Sequence, residues 1–438
     1  MTPSLDHEVS DTSERPVHDL VGVGFGPSNL GLAIALRERR AAGGKAPTGL
    51  FLERQERFSW HQGMLLDDAT MQISFLKDLV TPRNPASDFS FLSFLHRMGR
   101  LHDFINHKTL FPLRAEFHDY LVWCAQRVSD QVRYGQHVVA LRPVTRHGKV
   151  VYLDVVARDT AGRETVERAR NVVLAPGLRP SMPEGVHPSD RVWHSEHLLH
   201  RLADLPAAPV HGFAVVGAGQ SAAEVVGHLH QRFADLPVHA VFSRYGYSPS
   251  DDTPFANRIF DPEAVDAYYD APQEFKDELM HYHRNTNYSA VDPDLIAELY
   301  RRFYAERVRG KPRLQIHNMT RVVALTETDD RVDLTLEDQV SGKQTVLTVD
   351  HVVYATGYQP VDIRPLLGDL GHHCVFDAAG RPSLQRDYRI VTDDTVTCGL
   401  YLQGGTEHTH GISSVLLSNV ATRAAEIIDS IEARRATS

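Results

Sequence analysis

The sequence predicts an α/β fold of two doubly wound units, with a small, mostly helical insertion in the second. Three observations carry that reading. First, an apolar strand, a Gly-rich turn and a helix-like stretch follow one another at His18–Leu36 (HDLVGVGFGPSNLGLAIAL) and again at Gly212–His228 (GFAVVGAGQSAAEVVGH). Second, two strands run into small-residue turns, Arg170–Leu174 before Ala175-Pro176-Gly177, and the late HVVYATGY at His351–Tyr358. Third, Ser248–Arg309 is mostly polar, helical in character, and interrupts the second unit.

Taken in chain order, the polar and acidic stretch 1–15 reads as a disordered leader, without the basic flank and apolar run of a secretory signal. Residues 16–205 and 349–438 form the first unit, which is therefore discontinuous. Residues 206–348 form the second, with 248–309 as its insertion. Between the two glycine turns lie a helix at Leu113–Arg127 and strand-like runs near Val138–Leu141 and Val150–Val156. A helix-like stretch, Ser414–Ala433, closes the chain.

Composition narrows the class. The chain has 438 residues, 42% hydrophobic and 23% charged, as expected for a soluble globular protein of two or three modules. A net charge of −10 argues against nucleic acid or acidic lipid as partner. No apolar run reaches the roughly 20 residues that span a bilayer. Three scattered cysteines, Cys124, Cys374 and Cys398, fit free thiols in a reducing cytoplasm.

The turns carry the chemistry. Where a backbone must turn tightly and meet a pyrophosphate, a Cβ is in the way, and the helix that follows offers free N–H groups and a positive dipole end. Gly22, Gly24 and Gly26 supply this in the first unit, with Pro27 opening the helix. About 30 residues on, the run GLFLE ends in Glu53, whose carboxylate suits a ribose hydroxyl. The second unit offers Gly217, Ala218, Gly219, Gln220 and Ser221. Its next strand-like run, His239–Phe242, ends in Ser243-Arg244 rather than in an acid. A hydroxyl and a guanidinium accept a 2′-phosphate that a carboxylate would repel, which favours NADPH over NADH. Two Rossmann-like units in one chain point to a tightly held flavin, FAD, and an exchanging nicotinamide. On this reading the ATGY strand returns beneath the flavin unit.

The resemblance becomes specific at Trp60–Phe94 (WHQGMLLDDATMQISFLKDLVTPRNPASDFSFLSF). Together with GVGFGPSNL, GAGQSAAE, DDTPFANRIFDP, NTNYS, ATGY and HGISSVLLS, it resembles the microbial N-hydroxylating flavin monooxygenases of siderophore pathways, over about His18 to Ala425. The resemblance implies that FAD is reduced by NADPH and reacts with O₂. The resulting flavin hydroperoxide hydroxylates the side-chain amine of a basic amino acid, L-ornithine being favoured over lysine or a diamine. It also implies a homo-oligomer, often a tetramer. By matching position, Glu53 through His61 (including Trp60), Gln72, Val138, Val415, Leu416 and Leu417 line FAD. Lys77 meets the substrate carboxylate, and Asn257, Phe260 and Ser418 contact the substrate. Asn287, Tyr288 and Ser289 touch the nicotinamide half of NADP, with Asn287 also placed to donate a hydrogen bond in catalysis. Two departures stand out: Ser414 replaces an aspartate common in ornithine enzymes, and the segment between Arg244 and Asp251 is slightly short.

Other classes fit less well. A flavin disulfide reductase needs a CxxC-type pair, which the chain lacks. A redox-sensing NADPH module would leave Lys77, Asn257 and Asn287 without purpose. No histidine pair has metal-site spacing, so no metal is expected. A flavin monooxygenase acting on carbon or sulfur is the alternative, separable by a substrate screen.

Overall fold

The structure, a computed structural model, describes residues 15–43, 46–205, 211–287 and 289–437. Apart from Arg15, the expected leader lies outside them.

The first unit is built on five parallel strands in the order Gly399–Leu402, Asn171–Leu174, Leu20–Val23, Gly49–Leu52 and Val132–Arg133. Leu20–Val23 is buried along its whole length because both faces of the sheet are covered, so its side chains do not alternate in polarity. Helix Pro27–Ala41 lies on one face and buries Leu30 and Leu32–Leu36. The closing helix packs beside it so closely that a Cβ on Gly31 would lie 2.5 Å from Val420 Cγ1. On that side an aromatic core gathers Phe91, Phe94, Phe117 and Tyr120. A second, four-stranded sheet containing His137–Arg146, Lys149–Arg158 and Glu164–Ala169 covers the other face, with Val138 and Leu141 in its core.

The second unit has the same plan. Its parallel strands run in the order Val192–His194, His351–Tyr354, Phe213–Val216, Val238–Val241 and Leu314–His317. An antiparallel meander, Thr320–Glu327, Val332–Asp338 and Gln344–Val349, packs on it through Val332, Leu334 and Leu336.

This pairing corrects three expectations. Val192–His194 and His351–Tyr354 fall outside 206–348, yet both belong to the second sheet, where His351–Tyr354 pairs in register with Phe213–Val216. The ATGY strand thus does not run beneath the flavin unit. Its four residues are all buried, and backbone pairing with Phe213–Val216 on one side and Val192–His194 on the other places it in the second sheet. The chain crosses between units at Leu178–Pro180 and Tyr358–Pro360, which pair antiparallel as a short ribbon.

The insertion is also shorter than 248–309. Helices Pro262–Asp270 and Gln273–Asn287 belong to it, whereas Pro293–Val308 lies on the second sheet with Leu295, Ile296, Leu299 and Phe303 in that core. Finally, the closing helix starts at Val420 rather than Ser414. Gly411 (φ +77°) and two 3-10 turns, Ile412–Val415 and Leu417–Asn419, intervene. Among the described residues no helix is long and apolar enough to cross a membrane.

Candidate active site

The two glycine turns are closed in the same way. Gly24 has φ +81°, and a Cβ there would lie 2.4 Å from the carbonyl oxygen of Ala175. Gly217 has φ +146°, and its Cβ would lie 2.4 Å from the carbonyl oxygen of Ala355. Each glycine therefore admits the first residue of an Ala-x-Gly turn on the neighbouring strand, APG in one unit and ATG in the other. The expected reason for Gly24 was clearance for a pyrophosphate; the protein backbone alone already forbids a side chain. Gly22 is a packing glycine, since a Cβ would meet the Phe51 ring at 2.2 Å. Gly26 differs: a Cβ would meet nothing within 4 Å.

Gly26 is the N-cap of Pro27–Ala41 and Gly219 the N-cap of Gln220–Arg232, and neither helix start is capped by a side chain. Pro27 at the first helical position removes an N–H that would have had no partner. Both ends thus present free amides and positive dipole ends, the arrangement that holds a dinucleotide phosphate. Glu53 closes the first site by accepting from Phe25 N (2.6 Å) and Gln55 N (2.9 Å), which fixes a carboxylate at the end of Gly49–Leu52. These features fit FAD.

In the second site a Cβ on Gly219 would lie 3.3 Å from Ser289 Cα, and Arg244 donates to the Ser289 carbonyl (2.9 Å) and Ser248 Oγ (3.2 Å). Gly219, Arg244 and Ser289 are therefore brought together, although Ser289 is 45 residues from Arg244. Ala218 packs on the core of this unit. Gln220, one residue before Ser221, accepts from Asp292 N (2.9 Å) and donates to Glu224 (3.0 Å). The turn and the half-buried Arg244 fit NADPH. Asn287 ends helix Gln273–Asn287, and Tyr288 lies outside the described residues.

Where the units meet, Trp60, His61, Tyr358 and His194 form a run of ring contacts, with centroids 4.7, 5.9 and 5.2 Å apart in turn. His61 keeps part of its surface exposed to solvent, while the surrounding chain strips water from the rest. That desolvation, with Arg114 adding to it, lowers its pKa to about 4. It is a neutral ring at ordinary pH. Gln72 is exposed; Val138 is buried in the sheet behind, and Val415, Leu416 and Leu417 are half-exposed between buried neighbours.

Lys77 is half-buried, and among the described residues its ammonium has no hydrogen-bond or ion-pair partner. Its neighbour Asp78, which sequence reasoning missed, is buried and accepts from Val80 N (2.9 Å), Thr81 N (2.6 Å) and Phe91 N (2.7 Å). Burial raises its pKa, against the pull of those amides. The loop bearing Lys77 is thus pinned to helix Phe91–Arg97. Asn257 donates to the Asp252 carbonyl (2.8 Å), and its segment, Ala256–Phe260, packs against Ile412–Val415. Ser418 is buried, and among the described residues its Oγ has no hydrogen-bond partner. The structure brings the segment of Asn257 and Phe260 to Ile412–Val415, the turn just before the one that carries Ser418; it does not join Lys77 to them by direct contact. Leu417 and Phe75, however, pack on the same aromatic core.

A further pair missed in the sequence is Arg114 and Glu224, from opposite units. Their charges lie far apart in sequence and nothing local signals the contact. Among the described residues no group of three or more His, Cys, Asp or Glu could hold a metal.

Two dinucleotide-binding units meeting across a run of aromatic and histidine rings define a two-cofactor flavin enzyme class. The family described as L-lysine 6-monooxygenase/L-ornithine 5-monooxygenase matches residues 16–360, and the chain belongs to it. The L-ornithine N(5)-monooxygenase of Pseudomonas aeruginosa is 40% identical over 426 residues, covering 96% of this chain and 95% of that protein. The solved structure of the Kutzneria sp. 744 ornithine N-hydroxylase, with reduced FAD, NADP+ and L-ornithine, is 50% identical with a TM-score of 0.92. It covers 96% of this chain and 100% of that one. The L-lysine 6-monooxygenase of Pseudomonas syringae is 31% identical with a TM-score of 0.84, covering 95% and 99%.

Proposed function

We propose that this chain is an FAD- and NADPH-dependent monooxygenase that uses O₂ to hydroxylate the N5 amine of L-ornithine. The product would enter siderophore or related biosynthesis in the cytoplasm, and the enzyme would act as a homo-oligomer. The observation that carries the reading is the pair of uncapped helix starts at Gly26 and Gly219, each behind a glycine turn closed on an Ala-x-Gly carbonyl.

FAD, reduced by NADPH, supplies the oxygen-transfer chemistry when bound. The chain supplies position and polarity. Gly24, Gly26, Pro27 and Glu53 would hold FAD, with Trp60 and His61 at its ring. Gly219, Gln220, Ser221 and Arg244 would hold NADPH, and Ser289 sits against that turn. Lys77 pairs with the substrate carboxylate, and Asn257, Phe260 and Ser418 receive the rest of the amino acid. The reacting amine must be neutral, yet a free primary amine has a pKa of about 10. A water-poor pocket lowers that value by penalising the charged form. A neutral His61 adds no competing positive charge there. Asn287 orients a hydrogen bond at the reacting centre.

Product analysis with ornithine, lysine and cadaverine under one condition tests the reading. Ornithine should give coupled hydroxylamine, while lysine, one methylene longer, should misplace its amine and mainly release hydrogen peroxide. Better hydroxylation of lysine or cadaverine would refute the ornithine assignment. Sedimentation analysis reads the oligomeric state.

A further inference from the structure

Arg423, on the first turn of the closing helix, is 1% exposed. Its guanidinium donates to Gln403 Oε1 (3.1 Å), to Ser28 Oγ (3.0 Å) and to the Ser414 carbonyl. All three acceptors are neutral, and among the described residues Arg423 has no carboxylate partner. The next acid along its helix, Glu426, acts on Arg423 only through space, its carboxylate being hydrogen-bonded by Arg386 at 2.9 and 3.2 Å. A buried cation without an anion is costly, because neutral acceptors replace only part of its hydration.

The position of this charge explains what it is for. Ser28 is the second residue of Pro27–Ala41, whose N-terminus is uncapped and positive. Gln403, gripped by Arg423, donates in turn to Asn29 Oδ1 (2.9 Å), and Asn29 donates to the Gly24 carbonyl (2.7 Å). Asn29 and Gln403 are themselves 0% and 1% exposed. One buried network thus ties a net positive charge to the glycine turn and to the helix start. Arg423 and the uncapped helix start both place positive charge at the turn Gly24–Pro27, where the Glu53 carboxylate is already engaged by Phe25 N.

We propose that Arg423 is a positioning residue for FAD, its buried charge neutralised by the cofactor's pyrophosphate and its hydrogen bonds fixing the turn at Gly24–Pro27. The inference rests on the FAD reading above. It extends the first nucleotide site to a residue nearly 400 positions away in sequence, 395 from Ser28.

The test compares Arg423→Gln and Arg423→Lys with the unaltered chain. The readouts are the FAD dissociation constant of apoprotein, by flavin fluorescence, and Tm with and without FAD. Arg423→Gln should weaken FAD about tenfold or more, as expected for losing a nearby charge in a low-dielectric site. The Tm gain on adding FAD should shrink with it. Arg423→Lys, which keeps the charge, should recover much of the loss. Unchanged FAD affinity in Arg423→Gln, or an equal loss in the Gln and Lys forms, would overturn the charge role. Failure of the unaltered chain to bind FAD would instead overturn the cofactor reading, and the proposal with it.

Discussion

Arg114 and Glu224 join the two nucleotide-binding units through a bidentate ion pair, with N–O distances of 2.9 and 2.7 Å. Their side chains are only 13% and 5% exposed. Arg114 opens helix Arg114–Arg127 of the first unit and also donates to the Met64 carbonyl (3.1 Å). Glu224 lies in the first turns of the helix behind the second glycine turn. Removing one partner strands the other charge. Glu224→Ala or Arg114→Ala should therefore cost about 3–5 kcal/mol of stability. In a double-mutant cycle followed by urea denaturation, the paired substitution should cost much less than the sum. Additive losses would show that the pair is not coupled.

Gly24 and Gly26 are distinguished by what surrounds them. Gly24→Ala meets the Ala175 carbonyl and a left-handed φ, so apoprotein stability and FAD content should both fall. Gly26→Ala has open space in the protein and an extended backbone, so apoprotein Tm should hold within a few degrees while FAD binding weakens. Equal FAD content in Gly26→Ala and the unaltered protein would place the phosphates elsewhere.

Lys77 has no partner to lose among the described residues. Lys77→Ala should leave Tm nearly unchanged and raise the ornithine KM by about 10- to 100-fold, the worth of a charge-assisted contact. Flavin reduction by NADPH, followed in stopped flow, should keep its rate. A slowed reduction would assign the lysine to the nicotinamide instead.

Arg244 reads the nucleotide's 2′-phosphate in the proposed enzyme. Arg244→Ala should raise the NADPH KM by about 10- to 100-fold and leave NADH use almost as it was. Its bonds to Ser248 and the Ser289 carbonyl hold the guanidinium at the turn, so Arg244→Lys should restore only part of the preference. Equal use of both nucleotides by the unaltered protein contradicts this role.

Burial lowers the pKa of His61, His239, His351 and His410 to about 4. In the unfolded chain these rings titrate near 6.5, so between about pH 6.5 and 4 the unfolded state binds more protons. Their contribution to stability is complete above that window and is lost as the pH falls through it. Tm should drop from pH 7.5 to pH 5, and His410→Gln should shallow the slope. A Tm that rises on acidification in this range would contradict the burial of neutral rings.

Much of the first unit could be read from local pattern. Gly24 and Pro27 between a buried strand and an apolar helix mark a tight turn into a helix start, because few residue types tolerate the backbone and close contact at Gly24 and proline suits the first helical position. Glu53 was legible for the same reason, at the end of the next strand. The units' extents were not. Whether HVVY at His351–Tyr354 joins the first or second sheet depends on which partner strand it finds, and an all-apolar strand suits either. The extent of the insertion was equally open, since only packing on the second sheet sets Pro293–Val308 apart from its neighbours.

The sequence by itself determined the two glycine turns and the two-unit plan, because each turn is a local pattern of strand, glycines and helix. Only the tertiary structure decided Arg114–Glu224 and the Arg423 network. An arginine's role depends on which partners burial leaves it, and those come from residues 110 and 395 positions away. Periodicity records which faces are buried, not which polar groups meet inside. The carbonyls of Ala175 and Ala355 over Gly24 and Gly217 are likewise contacts between strands, fixed by sheet register rather than by any motif.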